Sequence, residues 1–94
     1  MIGDLYFVDS SIRVVRIEKN IDKDEIMDTI YNYFPSMPLR YLPRHYRIKQ
    51  LDDSLYAIYF IASAGAWPAY YFSTSSNDEE AREKILHYDG SIRL

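Results

Sequence analysis

The chain has 94 residues, 48% hydrophobic and 27% charged, with a formal net charge of −3, a composition expected of one small domain spanning 1–94. No cysteine occurs, which excludes disulfides and thiolate-held zinc or iron–sulfur centres and leaves stabilisation to the core. The charge is too mild for a mimic of DNA and too negative for a wholly basic nucleic-acid binder.

Residues 5–8 and 12–17 are runs rich in β-branched and aromatic residues around Asp9-Ser10-Ser11. They predict either two strands or one kinked strand. A helix follows, with Asp22 as N-cap, Glu25 three residues on, and Ile21 and Ile26 spaced as a hydrophobic staple. Ile26, Met27, Ile30, Tyr31 and Phe34 recur on one helical face, while Asp24, Glu25 and Asp28 sit at the positive end of the dipole. Pro35 ends the helix, and the three prolines from Pro35 to Pro43 predict a stiff, extended connection.

Residues 45–51 alternate, with Tyr46 and Ile48 on one face and His45, Arg47 and Lys49 on the other. Asp52-Asp53-Ser54 supplies a turn, and Leu55–Ala62 is apolar on both faces, as a central strand would be. Gly65-Ala66-Trp67-Pro68 is expected to be a connection, followed by a strand over 69–74. Ser76-Asn77-Asp78-Glu79 reads as a capping box opening a second helix. Ala81, Ile85, Leu86 and Tyr88 form the buried stripe of that helix, and Gly90 is expected as its C-cap. Residues 91–94 then suit a short terminal strand.

The order β(β)αβββα(β) predicts an α+β fold: an antiparallel sheet of four to five strands with both amphipathic helices on one face. The central αβββα order resembles that of a double-stranded RNA-binding domain. Such a domain opens its last helix on a lysine cluster, where this chain has Asn77-Asp78-Glu79-Glu80, which repels phosphate. Residues 54–77 carry no charge, but Ser63, Gly65 and Pro68 interrupt the run, which reads as buried strands rather than a membrane span. The opening Met1-Ile2-Gly3-Asp4 has neither the positive nor the apolar region of a signal peptide, so a cytoplasmic location is expected.

Catalytic chemistry finds little support. His45 and His87 fall on separate elements, no phosphate-binding glycine loop or nucleophile elbow occurs, and the carboxylates are explained by caps, turns and solvation. No enzyme, metal or cofactor is expected. The informative feature is a charge asymmetry: residues 1–39 carry net −3, residues 50–94 net −4, and residues 40–49 net +4 with no acid. Arg40, Tyr41, Arg44, His45, Arg47 and Lys49 therefore form the candidate binding strip, since Arg, Tyr and Trp dominate interface hot spots; Trp67 is a further anchor if exposed, the commoner fate of a lone Trp being to close the core under its loop. The bland reading is a solvated strand face paired with acids such as Asp52 and Asp53. The functional expectation is a small, non-catalytic intracellular binding protein of the inhibitor, immunity or phage-effector kind, contacting another protein. The alternative is a nucleic-acid-binding module using 40–49, guanidinium groups on phosphate and rings on bases. Strand edges and the ten tyrosines also suit a homodimer.

Overall fold

The computed structural model describes residues 1–33, 46–62 and 65–92, with the backbone alone at 60–62, 65–69 and 90–92. In chain order these residues form β1 (Ile2–Val8), β2 (Val14–Asp22), a 3-10 turn (Lys23–Glu25) leading into α1 (Ile26–Tyr33), β3 (Tyr46–Asp52), β4 (Leu55–Ala62), β5 (Gly65–Ser73) and α2 (Asp78–Ile92). The strands make one sheet in the order β2-β1-β5-β4-β3, with every neighbouring pair antiparallel. Phe34 and the proline-rich connection lie outside the described residues.

The N-terminal runs are two strands, not one. Asp9 closes the turn between them: its carboxylate accepts the amide hydrogens of Ser11 and Arg13, both at 2.9 Å. α1 starts as its sequence requires, with the Asp22 side chain accepting from the Asp24 amide at 3.0 Å.

The two helices cover opposite faces of the sheet, which corrects the one-face expectation. Leu5, Tyr56, Ile58, Tyr70 and Phe72 pack with Ile26 and Ile30 of α1. Their sequence neighbours Tyr6, Leu55, Ala57 and Tyr71 pack with Ala81 and Ile85 of α2. Successive strand residues point to opposite faces, and the middle strands β1, β5 and β4 are apolar at consecutive positions. Two helices on one side would leave Leu55, Ala57 and Tyr71 facing water, so each face takes one helix.

α2 is fastened to the sheet at both ends. Tyr6 and Tyr71 stand opposite each other on β1 and β5. The Tyr6 hydroxyl donates to Asp78 at 2.7 Å, and the Tyr71 hydroxyl to Asp89 at 2.7 Å. Asp78 and Asp89 lie about three turns apart and so share a helix face.

Three boundaries differ from expectation. β5 begins at Gly65, with Gly65, Ala66, Trp67 and Pro68 pairing with Ala62, Ile61, Phe60 and Tyr59. Trp67 therefore lies on a strand, not in a connection. A proline is tolerated there because a bulge sits beside it, between Ile58 and Tyr59, and because β1 pairs β5 only over Tyr71, Phe72 and Ser73. The N-cap of α2 is Asn77 rather than Ser76: its side-chain oxygen accepts the Glu80 amide at 3.1 Å. At the other end α2 runs through Gly90 to Ile92, so Gly90 is no cap and residues 91–92 form no strand. The Asp89–Tyr71 bond holds the final turns on the sheet, outweighing the roughly 1 kcal/mol cost of a helical glycine. Among the described residues no helix is long and apolar enough to cross a membrane.

Candidate protein-binding edge

β3 borders the sheet, and among the described residues no strand pairs with its outer side. It pairs inward with β4 in one-to-one register, Tyr46 opposite Phe60, Arg47 opposite Tyr59, Ile48 opposite Ile58 and Lys49 opposite Ala57. The alternation read from the sequence is kept. Tyr46 and Ile48 are half-buried against the cluster that holds α1. Arg47 and Lys49 are exposed on the other face.

Beside β3, on the Tyr46 and Ile48 face, a cleft of about 210 Å³ opens against the start of α1. Ile26, Met27, Tyr46 and Ile48 give it an apolar lining, and Lys23 and Asp24 stand at its polar border. The Lys23 ammonium lies 4.5 Å from the centre of the Tyr56 ring, within cation–π range.

Asp52, one of the acids that could neutralise the strip, is occupied. Asp52 accepts the Ser54 amide at 2.9 Å and pairs with Lys84 of α2 at 3.2 Å. These contacts, the backbone bond foremost, hold its carboxyl below the usual carboxylate range. Lys84 also reaches Glu80 at 3.4 Å. Arg47 donates to the carbonyl of Tyr46 at 2.8 Å. Asp52 therefore serves the β3–α2 contact rather than Arg47 or Lys49.

A second, polar cleft of about 460 Å³ lies at the start of α2, over Gly3, Asp4, Arg16, Lys19 and Asp78. Asp4, Arg16 and Asp78 satisfy one another. Asp78 accepts from Tyr6, from Arg82 at 2.8 Å and from Arg16 at 3.2 Å, and Arg16 is 3.7 Å from Asp4. The bonds from Tyr6 and Arg82 hold the Asp78 carboxyl low, while burial and the Asp78 bond push the Tyr6 hydroxyl up. This cluster fastens α2 to the sheet. Sequence reading took Asp78 for a cap-region carboxylate, because its partners lie on distant strands.

Of the expected strip, Arg47 and Lys49 stand on β3, whereas Arg40, Tyr41, Arg44 and His45 lie outside the described residues. The backbone register places Trp67 in one row with Phe60 and Tyr46, two strands in from the edge. Lys23, Ile26 and Met27 were legible only as helix residues, since no local spacing tells which strand a helix will flank. His87 is exposed on α2, edge-on to the Tyr88 ring at 5.1 Å. Among the described residues no group of three or more His, Asp or Glu side chains could hold a metal ion. No protein-family model, curated protein or solved structure matches the chain.

Proposed function

We propose that this chain is a small, non-catalytic binding protein that acts inside the cell by contacting another protein, as inhibitor, immunity and phage-effector proteins do. The observation that carries the reading is the β3 edge: a border strand among the described residues whose exposed face carries Arg47 and Lys49 and whose other face opens on a cleft lined by Ile26, Met27, Tyr46 and Ile48 with Lys23 and Asp24 at its border. An open backbone row with shaped pockets beside it is how sheet edges recognise partner chains. A globule of net −3 is repelled by a polyanion at long range, which places nucleic acid second.

The test compares wild type with an Arg47→Ala/Lys49→Ala variant, first as bait for protein partners and then with the purified partner. A complex formed by wild type and lost by the variant supports the reading. A complex indifferent to both substitutions refutes this surface. Binding of labelled mixed-sequence DNA or RNA that falls steeply with salt and is weakened by the variant would establish the nucleic-acid role instead.

A further inference from the structure

The strand borders of this sheet are not equivalent. β2 carries register shifts on both sides of Leu5 and a left-handed Asn20 at φ 56°. Such bulges twist an edge away from a straight partner. The first half of β5, beyond its pairing with β1, carries Pro68, which has no N–H to give a ladder. β3 keeps unbroken register with β4 from Tyr46 to Gln50, so its outward backbone groups form a straight row.

We infer that the β3 edge takes an extended strand of a partner protein in which acidic and apolar residues alternate, adding a sixth strand to the sheet. This rests on the protein-contact reading above. Residues directly opposite on neighbouring strands share a face. Partner residues opposite Arg47 and Lys49 therefore meet two cations, and those opposite Tyr46 and Ile48 meet the cleft lined by Ile26 and Met27. Asp52 does not compete for the cations, because Lys84 holds it.

In three registers the same charges oppose a second copy of this chain. A two-fold antiparallel pairing of β3 with itself sets Arg47 opposite Lys49 when Ile48 lies on the axis. It sets Arg47 opposite its own copy when Arg47 lies there, and Lys49 opposite its own copy when Lys49 lies there. Like charges directly opposite destabilise a pair of strands, so in these three registers the edge favours an acidic strand over itself.

The test uses the full chain, ¹⁵N-labelled, and three end-blocked peptides. The first is the alternating Glu-Val-Glu-Leu-Glu-Val; the second is a scramble with its acids contiguous; the third has Lys for each Glu. The alternating acidic peptide is expected to shift the amides of Tyr46 to Gln50 and to slow the hydrogen exchange of those among them whose N–H points away from β4, and the other two peptides to leave them unchanged. An Arg47→Glu/Lys49→Glu variant, altered only at exposed positions, is expected to bind the acidic peptide roughly tenfold more weakly and to gain the lysine peptide, as two opposed charge pairs change sign. The inference is overturned if no β3 amide responds, if the scramble binds equally well, or if the variant keeps its preference. It is also overturned if the same amides become protected with rising protein concentration alone, which would establish a homodimer edge. If a purified partner still depends on Arg47 and Lys49 after such a failure, protein contact stands without strand addition; if it does not, both readings fall.

Discussion

Removing one hydroxyl at each end of α2 tests whether these two bonds differ as their surroundings require. Tyr71 is 1% exposed and Asp89 is 5% exposed, so Tyr71→Phe strips a 2.7 Å hydrogen bond from a carboxyl that water hardly reaches. Losing a hydrogen bond to a buried polar group costs about 1–3 kcal/mol, and for this bond we expect about 2 kcal/mol. Tyr6→Phe removes a bond of equal length, but the Asp78 side chain is 40% exposed and keeps Arg16 and Arg82. Its expected cost is about 0.5–1 kcal/mol. For a chain this size the two variants should lower Tm by about 8–16 °C and about 2–8 °C respectively. Urea unfolding followed by circular dichroism, with the slope of each transition compared, measures both. Equal costs, or a Tyr71→Phe variant as stable as wild type, would refute the claim that burial of the acceptor sets the strength of each attachment.

Other substitutions probe the backbone and the acid limb. Ile12 is 65% exposed and held at φ 60° in the β1–β2 turn, a conformation costly for a β-branched residue. Ile12→Asn should therefore stabilise the chain by about 1 kcal/mol, read as a raised urea midpoint; a loss of stability would mean that Ile12 packs in a way its exposure denies. A Cβ on Gly3 would collide with the Ser73 carbonyl oxygen and come within 2.7 Å of Phe72 Cζ, so Gly3→Ala should cost about 1–3 kcal/mol, and a neutral result would show that β1 and β5 part easily. Asp78 and Asp52 are held below their ordinary range in the folded chain, so each adds stability that is present above the unfolded carboxyl pKa of about 3.9 and is lost as pH falls through the lower folded value. Tm should fall as pH drops below about 4, and less in Asp78→Asn than in wild type; parallel curves would show that Asp78 is not part of the acid response.

Local patterns in the chain were enough to place most elements. The staple and cap around Asp22 mark the start of α1, the alternation from Tyr46 to Lys49 marks β3, and the doubly apolar Leu55–Ala62 marks a strand deep in a sheet. Each of these signals comes from residues within a few positions of one another, whose spacing already states the period of the element. The cations of the candidate edge were legible in the same way, as a basic run between two acidic segments. That Asp52 belongs to Lys84 was not, because the pair joins the end of β3 to a helix residue thirty-two positions away.

What the sequence by itself determined, then, is the identity of most elements and the doubly apolar character of β4. The tertiary structure decided that the helices take opposite faces, that β3 borders the sheet among the described residues, and that Trp67 joins a strand. A strand apolar on both sides is satisfied by either helix on either side, so its pattern cannot choose between them. Strand order and register are set by the sum of contacts among distant segments: Leu5 against Phe72, Tyr6 against Tyr71, Ile58 against Tyr70. The same is true at α2, where Gly90 is a helix stop by local propensity and a helical residue in the fold. Local preferences of about 1 kcal/mol yield to a packed face and to the Tyr71–Asp89 bond, which exist only once the chain has closed on itself.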